Sequence, residues 1–254
     1  MRMINKKGKN LSIKVATIAL FSALYMAISF QPLGIPIIGI GGEIAPEASL
    51  GPVYGILLGP IIGPLSTLIG VLGAIFIPNP FTGKVGTSPF GLLTIPSPVL
   101  GSIVAGLLSK KSKKRLIASI IIFIALLTLW FLSPVGLKLY YLVIPHIIAL
   151  LLAVTLNISM KEDYHKLNYK KLILATSILI FLGVMIDHIW GSTMFAYTAE
   201  LLFGLSIEKV LAAFIAITLI FIIERLFMTF VGIILTIALI SALKRSGFYE
   251  KIIE

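Results

Sequence analysis

Cysteine is absent from the 254-residue chain, and this absence excludes disulfide bonds and thiolate metal sites. Histidine is scarce: the chain has His146, His165 and His188, and their scattered positions do not match the spacing of a metal site. Charged residues make up only 12% of the chain. We therefore predict no bound metal and no cofactor.

Apolar residues dominate instead, at 58% of the chain and a mean hydropathy of +1.09. A soluble domain of this length could not cover so much apolar surface. Several apolar runs reach the ~18–20 residues that span a bilayer as a helix. The composition predicts an all-α polytopic membrane protein, a bundle of six or more transmembrane helices forming one integral membrane domain over residues 1–254.

The 21 basic residues stand in clusters between the apolar runs, and they give a net charge of +11. Basic residues beside membrane spans contact anionic lipid headgroups and mark the cytoplasmic side, so we predict lipid contact and no nucleic-acid partner. Both termini are then cytoplasmic, in a multi-pass protein of the cell membrane. The clusters comprise Arg2, Lys6, Lys7, Lys9 and Lys14; Lys110, Lys111, Lys113, Lys114 and Arg115; Lys161, Lys166, Lys170 and Lys171; and Lys244, Arg245 and Lys251.

Ordinary crossings are predicted at five places, and the charge rule makes one further segment unusual. Ala48–Pro80 must start and finish outside, so we expect a short helical hairpin or a re-entrant pair that turns near Gly59, Pro60, Gly63 and Pro64. The Gly/Pro-rich half (about 11–109) thus has broken, short helices, and the half from about 115 to 243 is more regular. The five crossings are Leu11–Phe30, Phe90–Ser109, Leu116–Leu132, Leu139–Ser159 and Leu172–Trp190.

The last apolar run, Ile207–Leu243, is interrupted by two adjacent charges, Glu224 and Arg225, which lipid would not accept cheaply. We expect a final span over Leu226–Leu243 that begins outside at these charges. Ile207–Ile223 is then re-entrant, tilted or packed on the outer side, and one long projecting helix is the alternative. Adjacent helical residues do not face each other, so Glu224 and Arg225 each need a partner of their own.

This topology places 17 of the 21 basic residues inside and six of the ten acids outside, so a ligand pocket is expected at the outer face. Each candidate has a structural alternative: anchoring at the membrane interface for the aromatic residues, a plain connector for the loop around Asn79, and ion pairing with Asp187 or Glu200 for Arg225. His146 is expected to be a hydrogen-bonded core residue. The candidate substrate-binding residues are Glu43, Glu47, Asn79, Lys84, Asp187, His188, Trp190, Tyr197, Glu200 and Arg225.

Ala19, Ala23 and Ala27 recur every four residues along the first span. Small residues at this spacing let another helix approach closely. The stripe therefore indicates either internal packing or a docking face for a separate membrane subunit.

Three stretches resemble the substrate-binding S components of energy-coupling factor (ECF) transporters. Residues 14–29 resemble their first helix, residues 55–65 their second and third helices, and residues 224–244 their last helix. The resemblance implies a protein that captures a vitamin or related micronutrient outside the cell. It also implies partners, namely a transmembrane coupling protein and two ATPases. The resemblance places Ala19, Ala23 and Ala27 at the interface with the coupling protein, and it implies a lid that includes residues 39–47.

On this interpretation the chain is not an enzyme, because its partners hydrolyse ATP. A stand-alone secondary transporter is the first alternative, although inverted repeats, which such proteins often carry, are not visible. An intramembrane enzyme, such as a prenyl-protein protease or a lipid transferase, is the second. It would need clustered Glu, His or Asp motifs on facing helices, and the sequence shows none.

Overall fold

The computed structural model describes residues 2–31, 35–36, 43–44, 46–83, 85–86, 88–160 and 163–247, without the side chains of residues 2–10, 35–36, 43–44, 46 and 165. Within these ranges seven helical segments are long and apolar enough to cross a membrane. The prediction of an all-α polytopic membrane protein with at least six transmembrane helices is confirmed. The elements are α1 (Arg2–Ser29), β1 (Ile35–Pro36), β2 (Glu43–Ile44), α2 (Leu50–Phe76), α3 (Pro89–Thr94), α4 (Pro96–Leu108), α5 (Lys113–Phe131), α6 (Ile144–Ser159), α7 (Tyr169–Phe203) and α8 (Ile207–Arg245).

Short irregular elements connect the helices. The strands β1 and β2 are two residues each and pair antiparallel, with Ile35 opposite Ile44. Three 3-10 turns, at Pro46–Ser49, Tyr140–Val143 and Tyr164–Lys166, lead into α2, into α6 and towards α7. Most of the predicted lid over residues 39–47 lies outside the described residues.

Helix α2 is the predicted hairpin, broken at Gly59 into arms of residues 50–58 and 60–76. Gly59 has φ 80° and ψ −179°, a conformation that glycine adopts without the steric cost of a side chain. Pro60 follows as the first residue of the second arm, where its missing N–H costs nothing. The arms fold back on each other, because a Cβ built on Gly63 would lie 2.5 Å from the Tyr54 carbonyl oxygen. The predicted turn is therefore confirmed.

Glycines allow the first arm of α2 to pack directly on the backbone of α4. A Cβ at Gly51 or Gly55 would come closer than 3.0 Å to the carbonyl oxygen of Pro98 or Ser102, respectively. One turn further on, a Cβ at Gly106 would lie 2.8 Å from the Pro60 nitrogen. These contacts advance together along both segments, so the first arm and α4 run parallel. Without a hydrophobic driving force in lipid, such close backbone approach is what helix association depends on.

The second arm of α2 returns alongside α1. The Ser22 hydroxyl donates to the Ser66 carbonyl at 2.9 Å. Gly70 packs against Tyr25, and Gly73 packs against Met26. The second arm and α1 therefore run parallel, and the start of α1 lies at the same end of the bundle as the turn at Gly59.

The second and third basic clusters meet at that end. The Lys111 ammonium group donates to the carbonyl oxygens of Asn157 and Ile158, each at 2.9 Å, and to that of Met160. The Lys111 main-chain N–H donates to Asp163 Oδ1 at 2.9 Å. This lysine thus satisfies the free carbonyls at the C-terminus of α6, a favourable place for a cation. We refer to this end of the bundle as the basic end.

Helices α7 and α8 form a long antiparallel pair of 35 and 39 residues, each about 50–60 Å long. Gly204 ends α7 with φ 64°, and its N–H donates to the Glu200 carbonyl at 3.0 Å. Because the pair is antiparallel, Lys170 at the start of α7 lies at the same end as Lys244 at the end of α8. The basic clusters therefore share one end, as the charge pattern predicts. Which side of the membrane that end faces stays a prediction.

Two predicted boundaries are wrong. The break at Glu224–Arg225, with a separate segment Ile207–Ile223 and a last span Leu226–Leu243, does not exist, because α8 is one continuous helix. The crossing predicted to end at Trp190 continues to Phe203. Arg225 of α8 pairs with Asp187 of α7 and with Glu224 beside it, so no helix end is required to bring these charges to water. The long projecting helix, named as the alternative for the last run, is the observed form.

The glycine contacts predict a sharp difference between two glycine-to-alanine substitutions. Gly55→Ala forces a methyl group into the backbone of α4 and should destabilise the protein by about 1–3 kcal/mol, or about 2–4 °C of apparent Tm per kcal/mol. Gly191→Ala in α7 is the control, since its Cβ would meet only Ser97 Oγ at an ordinary 3.6 Å. Thermal unfolding of the purified protein in detergent measures both. Equal melting temperatures would contradict the packing described here.

Candidate functional site

The polar residues of the candidate site lie in the middle of helices rather than at their ends. Asp187 lies 18 residues after Tyr169, about 27 Å along α7, and Arg225 lies 20 residues before Arg245, about 30 Å along α8. Since the hydrocarbon core is ~30 Å thick, the two residues are near its far boundary as counted from the basic end. The outer-face position predicted for them stays a prediction, and neither helix ends there.

Arg225 of α8 pairs with two carboxylates, Asp187 of α7 and the adjacent Glu224 of its own helix. Its Nη1 donates to Asp187 Oδ2 at 3.3 Å, and its Nη2 donates to Glu224 Oε1 at 3.1 Å. The side chains of Arg225, Asp187 and Glu224 are 14%, 10% and 8% exposed. We call these three residues the ion cluster. Two acids against one guanidinium make the cluster acidic if all three groups are charged, and Arg225 Nε is buried without an acceptor among the described residues.

The expectation that Glu224 and Arg225 could not contact each other is wrong. Adjacent side chains leave a helix in directions about 100° apart, and the expectation rested on these directions alone. The arginine side chain is long enough to turn back, and the shared partner Asp187 draws its guanidinium into the groove between α7 and α8. Both ends of the planar group are then used, as guanidinium geometry allows.

The ion cluster lies where four segments meet. Gly232 of α8 lets the chain approach closely, because a Cβ there would lie 2.6 Å from Ile180 Cγ2 and 3.6 Å from Ser49 Cβ. Ser49 belongs to the 3-10 turn before α2, and it is fully buried. Glu47 of the same turn and Asp187 are both within electrostatic range of Tyr25 on α1. Of the predicted site residues, the structure therefore brings Glu47, Asp187 and Arg225 into one region.

A second polar group lies beside the ion cluster, on the face of α7 that His188 occupies. His188 Nδ1 is 3.0 Å from His146 Nε2 on α6, and His188 Nε2 is 3.3 Å from Ser192 Oγ. His146 Nδ1 is 3.1 Å from the Leu142 carbonyl oxygen. His188 also stacks on Phe221 of α8, with ring centroids 4.6 Å apart and planes 10° apart. We call His146, His188 and Ser192 the histidine chain.

The direction of hydrogen bonding in the histidine chain follows from one fixed acceptor. A carbonyl oxygen only accepts, so His146 Nδ1 carries the proton it donates to Leu142. Neutral His146 Nε2 then accepts from His188 Nδ1–H, and His188 Nε2 accepts from the Ser192 hydroxyl. Both histidines are neutral in this arrangement, and every ring nitrogen has a partner. The expectation that His146 is a hydrogen-bonded core residue is confirmed.

Three other predicted site residues use their polar groups on main-chain atoms. Trp190 Nε1 donates to the Leu93 carbonyl at 2.9 Å, and the Tyr197 hydroxyl donates to the Leu129 carbonyl at 3.1 Å. Asn79 Nδ2 donates to the Phe30 carbonyl at 3.0 Å, and its Oδ1 accepts from the Phe81 N–H at 2.8 Å. These bonds attach α3, α5 and the end of α1 to their neighbours.

The remaining predicted residues lie apart from the ion cluster or outside the description. Glu200 is exposed near the end of α7. Glu43 belongs to β2, but its side chain is not described, and Lys84 lies outside the described residues. Their assignment to a ligand site stays a prediction.

Glu224, Ser192 and His146 are the site residues that the candidate set omits. Each sits in an apolar helical run, where a polar side chain in lipid signals a partner or a function. Ser192 follows His188 by four residues, the spacing at which helical side chains meet. Sequence spacing does not reveal the partner of His146, because His188 is 42 residues away.

The arrangement can bind and orient polar groups. Within the described residues, no three His, Asp or Glu side chains are grouped as a metal ion would require. The ion cluster presents carboxylates and one guanidinium in a largely dehydrated setting, where electrostatic interactions are strong. Such groups recognise a charged or hydrogen-bonding part of a small molecule.

Comparison with known proteins finds one relative and no assigned function. The chain is 32% identical over 212 residues to an uncharacterized protein of Methanocaldococcus jannaschii. The match covers 83% of this chain, which spans 65% of that relative's length. No family model matches the chain. No solved structure matches it either.

The ion cluster predicts a large penalty for removing its cation alone. Arg225→Gln leaves two buried carboxylates facing each other, and breaking a buried pair this way costs about 3–5 kcal/mol. Adding Asp187→Asn should recover part of that loss, because one of the two unpaired charges is removed. Arg245→Gln, an exposed arginine on the same helix, is the control and should change stability by less than about 0.5 kcal/mol.

Thermal unfolding in detergent of the wild type, Arg225→Gln, Asp187→Asn, the double variant and Arg245→Gln provides the comparison. Strictly additive effects of Arg225→Gln and Asp187→Asn would show that the two residues do not interact.

Proposed function

We propose that the chain is the membrane-embedded substrate-capture subunit of an ECF-type uptake transporter for a vitamin or related micronutrient. A transmembrane coupling protein and two ATPase subunits would supply the energy, and the chain itself would not be an enzyme. It would reside in the cell membrane with both termini in the cytoplasm. The proposal rests on the resemblance of residues 14–29, 55–65 and 224–244 to S components, together with one structural observation.

That observation is the orientation of the alanine stripe on α1. Ala19, Ala23 and Ala27 are exposed, whereas Phe21 and Tyr25 on the opposite side are buried. The stripe therefore does not serve packing within the described part of this chain, which was the alternative explanation. An open row of small residues suits close approach by a helix of another membrane protein.

The ion cluster supports the capture step. It lies about 27–30 Å from the basic end, and both Asp187 and Glu47, the last residue of the predicted lid, are within electrostatic range of Tyr25. Carboxylates outnumber the guanidinium there, which favours a substrate with a positively charged or hydrogen-donating group. A ligand of this kind would shift the segment before α2 towards the closed form, because a ligand favours the state it binds more tightly.

Docking is testable by co-purification with a tagged coupling protein and the ATPase pair from the same organism. Ala23→Trp should reduce the amount of chain recovered about tenfold or more, because a bulky side chain at a close interface costs about 1–3 kcal/mol. Ala125→Trp, at an exposed alanine of α5, is the matched control and should leave recovery unchanged. Mass spectrometry of the purified chain would identify the bound small molecule.

Two outcomes would contradict the docking proposal. The first is the absence of the wild-type chain from the purified coupling complex. The second is equal recovery of Ala23→Trp and Ala125→Trp.

A stand-alone secondary transporter is the second candidate, and the ionisable residues inside α7 and α8 favour it. Carboxylates at such positions often carry coupling ions or protons. For this candidate, the chain alone in liposomes should accumulate its substrate under a proton or sodium gradient, and Asp187→Asn should abolish the uptake. Uptake that requires the ATPases and ATP would rule this candidate out.

A further inference from the structure

The ion cluster of Arg225, Asp187 and Glu224 contains more negative than positive groups. Both carboxyl groups accept a hydrogen bond from the same guanidinium, and they lie within electrostatic range of each other. The three side chains are at most 14% exposed. Water therefore screens little of the repulsion between two carboxylates, and a net negative charge in this setting is costly.

Two elements besides α7 and α8 bring ionisable groups towards the ion cluster. Tyr25 of α1 lies within electrostatic range of Asp187 and of Glu47, and Tyr54 of α2 packs behind it with ring centroids 6.3 Å apart. A phenol carries no positive charge in either protonation state, and Glu47 is a further acid. Glu47 is half-buried, whereas Asp187 and Glu224 are buried. The cost of an unbalanced charge therefore falls mainly on the two buried acids.

The histidine chain lies on the neighbouring face of α7 and does not supply the missing positive charge. His146 and His188 are both within electrostatic range of Arg225. The charge of Arg225 opposes a second positive charge on either ring. Among the described residues, Arg225 is thus the cation that faces the two buried acids.

A proton fits the ion cluster better than a metal cation does. Hard cations such as Ca²⁺ and Mg²⁺ take about six or more oxygen ligands. Within the part of the chain that the structure describes, no three acidic or histidine side chains are grouped in that way. Asp187 Oδ1 and Glu224 Oε2 accept no hydrogen bond from a described residue. A proton requires only one of these two oxygens.

We propose that Asp187 and Glu224 together hold one proton, which balances the charge of the ion cluster. One carboxylate takes the proton from water and becomes neutral, and the other stays ionised against Arg225. Two acids in one dehydrated site share a proton in this way, because like charges so close together repel strongly. If the ion cluster captures a cationic substrate, as the proposed function has it, that cation replaces the proton on binding. The proton itself follows from charge balance and does not depend on the proposed function.

Infrared spectroscopy of the full chain detects the proton, because a protonated carboxyl group has a C=O stretching band above the amide I band. The wild type at neutral pH, in a detergent without ester groups, should show this band, and heavy water should lower its frequency. Asp187→Asn and Glu224→Gln should each lose the band, since either variant leaves one carboxylate against one guanidinium. The double variant gives the baseline. Arg225→Gln should double the band area, because no cation remains to keep either acid ionised.

Glu208→Gln is the matched control, since it removes an exposed acid from the helix that carries Glu224 and should leave the band unchanged. The amide I band of each variant reports whether its helices are intact. Absence of the carboxyl band from the wild type would overturn the proposal, and so would its persistence in either Asp187→Asn or Glu224→Gln. If Arg225→Gln does not fold, these two variants decide, because each keeps Arg225 paired. The measurement uses neither a substrate nor a coupling protein, so its failure is distinguishable from failure of the proposed function.

Discussion

The pairing of Arg225 with two carboxylates is the interaction on which the rest of the structure depends. Hydrocarbon offers no water to stabilise an isolated charge, so a charged residue within a helix must find its partner on a neighbouring helix. Asp187 is that partner, and the pairing fixes the register of α7 against α8. The register in turn sets His188 against Phe221 and brings Gly232 against Ile180. Polar and close-packed contacts are therefore consequences of one alignment.

In the N-terminal half, close packing at glycines rather than an ion pair aligns the helical segments. Its first arm of α2 has little side-chain volume facing α4, and the two backbones touch at Gly51 and Gly55. The positive φ of Gly59 reverses the chain near the basic end, where Gly106 of α4 packs against the turn. This arrangement brings the fully buried Ser49 to Gly232 of α8. The hairpin and the long pair thus meet at Gly232, about two helical turns from Arg225.

Much of the fold followed from the sequence because lipid makes composition and charge strong signals. Apolar runs gave the helices, Gly59 and Pro60 gave the turn, and the basic clusters gave the common end. The end of α7 and the continuity of α8 did not follow, because a charge inside an apolar run predicts a break unless its partner is known. The partner of Arg225 is 38 residues away in sequence. A similar separation, 42 residues, prevented the sequence from indicating the contact between His146 and His188.

The candidate site divides into residues that hold helices together and residues that remain available to a ligand. Trp190, Tyr197 and Asn79 donate to main-chain carbonyls, and breaking those bonds would detach α3, α5 and the end of α1 from their neighbours. Arg225 differs, because its Nε has no acceptor in the part of the chain that the structure describes and two carboxylates face its one positive charge. A ligand that entered there would add partners without removing any. Substrate capture is therefore more compatible with the ion cluster than with Trp190, Tyr197 and Asn79.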